Sequence, residues 1–147
     1  MINSKLSECL ALLGAINPSS QAAGTAVSGW ISMANVERVL AVVQTGTFGA
    51  SATVDANVQQ AQDASGTGAK AITGKAITEL AAAGGGNQQA TIDVRQEELD
   101  MANGYGYIQL SIIVGTAATE TAGLVLGGGA RYLPASQFNA ASVAQQV

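Results

Sequence analysis

The stretch Asn35–Gln62, NVERVLAVVQTGTFGASATVDANVQQAQ, decides the fold class. It holds two runs of strand character around the connection Gly46-Thr47-Phe48-Gly49. In the first run, Arg38 to Val43, both faces are apolar: Leu40 and Val42 on one, Val39, Ala41 and Val43 on the other. The second run alternates, with Val54, Ala56 and Val58 opposed to Thr53, Asp55, Asn57 and Gln59. Period-two alternation predicts a sheet with one face in a core and one in water. A strand apolar on both faces lies deeper, covered by another element or by another subunit. The remaining strands are expected to add to this pair.

Outward from it, Thr25 to Met33 predicts a strand with Val27 and Ile31 apolar and a bulge at Gly29, and Ala34-Asn35 turns it into the first run. Its Trp30 reads as a packing anchor. Beyond Gln62, Asp63 to Gly68 is a turn-rich loop. Ile72 to Leu80 suits either a helix or short strand segments. In Gln88 to Arg95, Ala90, Ile92 and Val94 alternate against Thr91, Asp93 and Arg95. Glu97 to Asp100 forms a corner and Asn103-Gly104 a turn. Tyr105 to Val114 carries Ile108, Leu110, Ile112 and Val114 on one face, and a last strand, Ala122 to Leu126, ends in Gly127-Gly128-Gly129. Short strands divided by turn signals, without strand–helix alternation, predict an all-β, antiparallel β-sandwich, immunoglobulin-like or jelly-roll-like. The sandwich is expected over 24–130, with a tail at 131–147.

Residues 1–23 read as an N-terminal arm. Leu6, Leu10 and Leu13 fall on one helical face with Cys9 and Ile16 beside them, Asn3 or Ser4 as cap and Gly14 as end. Pro18 to Gly24 reads as linker. Lys5 ahead of the apolar run Cys9 to Ile16 has the outline of a signal peptide, but Glu8 interrupts it and the run is short. Leu6, Leu10, Leu13 and Ile16, with Tyr132 and Phe138 in the tail, are the candidate subunit contacts. Two arrangements are open: the arm docks in a neighbour's groove, or it caps its own sandwich over the strand Arg38–Val43.

At 147 residues the chain is expected to be one domain that buries a core without disulfides. It is 48% hydrophobic yet 4% aromatic and 11% charged, about half the usual charged share. Charge normally keeps proteins apart in solution, so much of this surface is expected to be covered in the working state. The net charge is −4 and the six basic residues are scattered, without the basic stripe that nucleic-acid binding needs. No window approaches the ~20 apolar residues of a membrane span.

Chemistry-bearing patterns are weak. Cys9 is the one cysteine and there is no His, which leaves no disulfide, no cysteine metal cluster and no imidazole acid–base chemistry. A single thiol is consistent with assembly in a reducing compartment. Gly68 to Lys75 imitates a phosphate-binding loop, but five residues separate its glycines and Ala76 follows the Lys. Glu97, Glu98 and Asp100 form the densest acid cluster, on a short corner that reads as a solvated turn. No catalytic, cofactor-binding or metal-binding residue is assigned.

The segments FGASATVDANVQQAQDASGTGAKAITGKAITEL (48–80), QATIDVRQEELD (89–100), YIQLSIIVGTAA (107–118) and GGGARYLPA (127–135) resemble a family of small structural proteins of tailed bacteriophages. The resemblance spans about Ile16 to Ala135. It implies a β-sandwich virion component without enzymatic activity: a head decoration, or cement, protein that clips major capsid protein subunits from outside. By that analogy the chain is expected on the capsid surface, assembled in the host cytoplasm, as a homo-oligomer, with a trimer expected from other decoration proteins. It is expected to contact neither nucleic acid nor membrane. The alternatives are a tail or neck structural protein of the same virion, or a carbohydrate-binding or fibre-type β-sandwich module.

Overall fold

The structure is a computed structural model that describes residues 3–147; Met1 and Ile2 of the expected arm lie outside the described residues. Two antiparallel sheets form a sandwich. One has four strands in the order β1-β10-β4-β8. These are β1 (Ala11–Gln21), β10 (Thr119–Ala130), β4 (Val36–Phe48) and β8 (Gln89–Arg95). The other sheet runs β2-β9-β5-β6. Its strands are β2 (Gly24–Val27), β9 (Tyr107–Gly115), β5 (Thr53–Ala61) and β6 (Lys70–Ala76). Two short strands complete it, β3 (Ile31–Ser32) on β9 and β7 (Leu80–Ala81) on β5.

The core lies where the alternation places it. Val54, Ala56 and Val58 of β5 and Ile108, Leu110 and Ile112 of β9 are buried, as are Ile92 and Val94 of β8. They meet Val39, Ala41 and Val43 of β4 and Val125 of β10. At period two, the opposite face of each strand points out of the sandwich.

The two runs that decide the fold class do not pair with each other. β4 sits between β10 and β8, while β5 sits between β9 and β6 in the other sheet. β4 also runs through Gly46 to Phe48, which had the composition of a connection. The chain crosses between sheets in the turn Gly49–Ala52, closed by Ala52 N–H on the Gly49 carbonyl at 3.1 Å. A Cβ on Gly49 would lie 2.5 Å from the Ala118 carbonyl oxygen, so this crossing needs glycine. Two long strands that each bury one face satisfy both faces of a core better from opposite sheets than side by side.

The N-terminal segment departs most from expectation. Helix α1 covers only Leu6–Cys9, and its cap is Lys5, whose backbone N–H donates to Glu8 Oε2 at 2.9 Å. From Ala11 the chain is extended, and the supposed linker joins the sheet: Ser19, Ser20 and Gln21 face Thr121, Glu120 and Thr119. Bulges between Leu12 and Gly14 and between Ile16 and Ser19 hid the alternation. β10 likewise continues through Gly127-Gly128-Gly129 instead of stopping there. A Cβ on Gly127 would lie 2.6 Å from Leu13 Cδ1 and 2.9 Å from Val36 Cγ1, so close packing explains the residue. The strand expected over Thr25–Met33 is broken in two at Ser28–Trp30, where Gly29 has φ +78°. The ambiguous region 72–80 holds the end of β6, a non-strand link over 77–79 and the start of β7, with no helix.

Candidate assembly surface

The doubly apolar run finds its explanation on the outer face of the four-stranded sheet. Leu40 stands opposite Leu126, and Val42 opposite Leu124. On the other side of β10, Leu12 faces Leu126 and Ala15 faces Leu124. An apolar band therefore crosses β1, β10 and β4, and among the described residues no third sheet is stacked on it. Its leucines and valine are half-buried by one another, and Leu12 is 38% exposed.

One end of the band opens into a groove of about 410 Å³ between the two ends of the chain. Leu6 and Leu10 line it from the α1 segment, Leu12 and Leu126 from the sheet, and Phe138 and Val143 from the tail. Among the described residues, no ionisable side chain contributes to its wall. The tail is held in place by Asn139, whose Nδ2 donates to the carbonyls of Leu12 and Leu13 at 3.1 and 3.2 Å. Tyr132 packs edge-to-face on Phe138, with ring centroids 4.7 Å apart.

The six candidate contact residues thus separate. Leu6, Leu10 and Phe138 converge on the groove, and Tyr132 stands beside it, 55% exposed. Ile16 is buried in the sandwich core and Leu13 packs against that core, so the stripe drawn through them on a helix does not exist. Leu12, Leu124 and Leu126 were passed over; their signal was apolar residues on both faces of Gly123–Leu126, the same pattern that marked Arg38–Val43.

The acid corner is a structural staple. Arg95 pairs with Glu97 at 2.9 Å, Lys75 with Glu98 at 2.8 Å and Lys70 with Asp100 at 2.5 Å. The two lysine pairs tie β6 to the corner that follows β8. The hydrogen bond from Lys75, aided by the Arg95 backbone N–H, holds the Glu98 carboxyl below its ordinary value of 4.5. Lys70 and then Asn103 hold Asp100 below its ordinary 3.8, and the same bond raises Lys70. A depressed carboxyl stabilises the fold above its ordinary pKa, and this is lost as pH falls through the folded value. The melting temperature is therefore expected to drop on acidification below about pH 4.5, and Glu98→Gln to make that drop shallower. An equally steep acid limb in Glu98→Gln, followed by circular dichroism, contradicts this assignment.

Trp30 and Tyr105 have internal partners. A Cβ on Gly66 would lie 2.5 Å from the Trp30 indole nitrogen, which places that ring against the loop 62–68. Tyr105 is buried and donates its hydroxyl to the Gly68 carbonyl at 2.9 Å. Among the described residues, no helix is long and apolar enough to cross a membrane.

No protein-family profile and no curated protein matches the chain. Solved structures with a similar arrangement include a chain of infectious bursal disease virus, Gt strain, at 14% identity and TM-score 0.42. That likeness covers 86% of this chain and 33% of the viral one, so this chain spans about a third of its length. A chain of the cowpea mosaic virus empty virus-like particle is similar at 8% identity and TM-score 0.43, over 82% of this chain and 78% of that one. The carbohydrate-binding module TmCBM61, solved with β-1,4-galactotriose, is similar at 10% identity and TM-score 0.31, over 71% and 63%. At these TM-scores the likenesses carry no argument about function.

Proposed function

We propose that the chain is a structural component of a virus particle, and within that class a head decoration protein of a tailed bacteriophage that binds the major capsid protein from outside. The observation that carries this reading is the apolar band on the outer sheet face, continuous with an uncharged groove, on a chain with few charges anywhere. Apolar surface of that kind is stabilised by being covered. The resemblance of four segments to small phage structural proteins supports the same reading. The net charge of −4 suits a position outside packaged DNA. The role is assembly without catalysis, and it includes association with further copies of the chain.

Leu12→Asp tests the docking face, because Leu12 is partly exposed on an edge strand and its loss spares the core. Added to heads assembled without the chain, this variant is expected to bind on the order of 100-fold more weakly, from the cost of burying a carboxylate. Its melting temperature should stay near that of the unaltered chain. Thr25→Asp, on the exposed outer face of the other sheet, should bind normally. Equal binding of Leu12→Asp and the unaltered chain contradicts the face. Binding to purified tails in place of heads moves the role to the tail or neck.

A further inference from the structure

Among the described residues the sandwich has four open sheet edges, and three are interrupted. β1 carries two bulges and Pro18, and Asn139 of the tail bonds its Leu12 and Leu13 carbonyls. The β2/β3 edge is broken at Ser28–Trp30. β6 has a register shift against β5 and Gly74 at φ +76°. Such devices keep edges from pairing with other chains. β8 has none of them: it pairs with β4 from Gln89 to Arg95 without a shift and contains no Pro or Gly.

The phase of that ladder fixes which backbone groups are free. Thr45 N–H donates to the Gln88 carbonyl at 2.9 Å, so the groups of Ala90, Ile92 and Val94 point at β4. Those of Gln89, Thr91 and Asp93 point away from the sheet and have no hydrogen-bond partner among the described residues. The next outward N–H, that of Arg95, is taken by Glu98 Oε2 at 2.8 Å. The unmet stretch is therefore Gln89–Asp93, and its centre is Thr91.

We propose that this edge is a strand-pairing site for a second copy of the same chain, β8 against β8 antiparallel about a two-fold axis at Thr91. In this register Thr91 faces Thr91 and Gln89 faces Asp93, which forms about six main-chain hydrogen bonds from the antiparallel pattern. Pairing one step on, about Asp93, would set two like charges opposite each other. Arg95 stays outside the paired stretch on its own Glu98. Beside the end of β8 lies a cleft of about 700 Å³, lined by Arg38, Arg95 and Glu97 among others. This register brings the partner's small loop Gly84–Asn87 alongside residues 95–98. A two-fold axis normal to the sheet keeps both outer faces on one side, so the apolar bands of two copies face the same way. The symmetry differs from the trimer expected by analogy.

Thr91→Pro removes one of the outward N–H groups and no β4 bond, a position where an edge strand tolerates proline. The unaltered chain is expected to sediment at twice its 14.6 kDa, and Thr91→Pro as a monomer at the same concentration. Thr91→Cys in a Cys9→Ser background keeps the test independent of proline strain. Facing Cα atoms about 5.5 Å apart accept a disulfide, so mild oxidation should cross-link this variant to a covalent dimer. Gln89→Cys, facing Asp93, should remain uncross-linked. A monomer or a trimer as the species of the unaltered chain overturns the proposal. So does an uncross-linked Thr91→Cys, or preferential self-cross-linking of Gln89→Cys.

Discussion

A chain lacking residues 1–23 is expected not to fold. Those residues include β1, which faces β10 from Ala11 to Gln21. Ala11 is fully buried and Ile16 is 7% exposed within the core. Truncating one buried isoleucine costs about 2–5 kcal/mol, against a total stability of about 5–15 kcal/mol for a domain. Removing the whole strand adds the loss of its ladder and opens the edge of β10. A shorter deletion, of residues 1–10, leaves β1 whole and takes away α1, none of whose residues is buried. It is expected to keep a cooperative melt while stripping one wall from the groove. Melting by circular dichroism separates the two truncations. A 1–23 deletion that melts like the intact chain would show that β1 is dispensable and that the segment acts as a leash after all.

Leu110→Ala is expected to destabilise the domain by about 2–5 kcal/mol, toward the upper part of that range. Leu110 is fully buried. Across the sandwich it packs over Gly123 of β10, where an added Cβ would lie 2.9 Å from Leu110 Cδ2 and 3.3 Å from both Ile112 and Ile16. A glycine opposite has no side chain that could relax into the space, so the cavity stays open. Urea unfolding reads the change as a lower midpoint at constant slope. A loss under about 1 kcal/mol would mean that neighbouring side chains collapse into the space.

The strands that could be read from the chain are those with strict alternation. β5, β8 and β9 present Val54 to Val58, Ile92 and Val94, and Ile108 to Ile112 inward, each as its pattern predicts. The strands that stayed hidden break the pattern for identifiable reasons. Two bulges and Pro18 scramble β1, and the steps of four and three between Leu6, Leu10 and Leu13 imitate one face of a helix. Glycines required by close packing make the end of β10 look like a turn. Pairing partners were out of reach for a different reason. Most links, such as β3 to β4, β4 to β5 and β9 to β10, pass from one sheet to the other. Adjacency in sequence therefore says little about adjacency in the sheet. Of the candidate surface, Leu6, Leu10 and Phe138 were legible as apolar residues near the chain ends, whereas Leu12 and Leu126 needed the register of β1 on β10.

The same register explains why β4 is apolar on both faces: one face builds the core, and the other lies in the apolar band proposed above as the docking surface. The most direct test of the proposed role is an electron cryo-microscopy map of phage particles with the chain added. Density for the sandwich is expected outside the head shell, with the face bearing Leu12, Leu40, Leu124 and Leu126 turned toward the capsid subunits. Density in the tail or neck, or a sandwich seated on the shell through the opposite sheet, would contradict it.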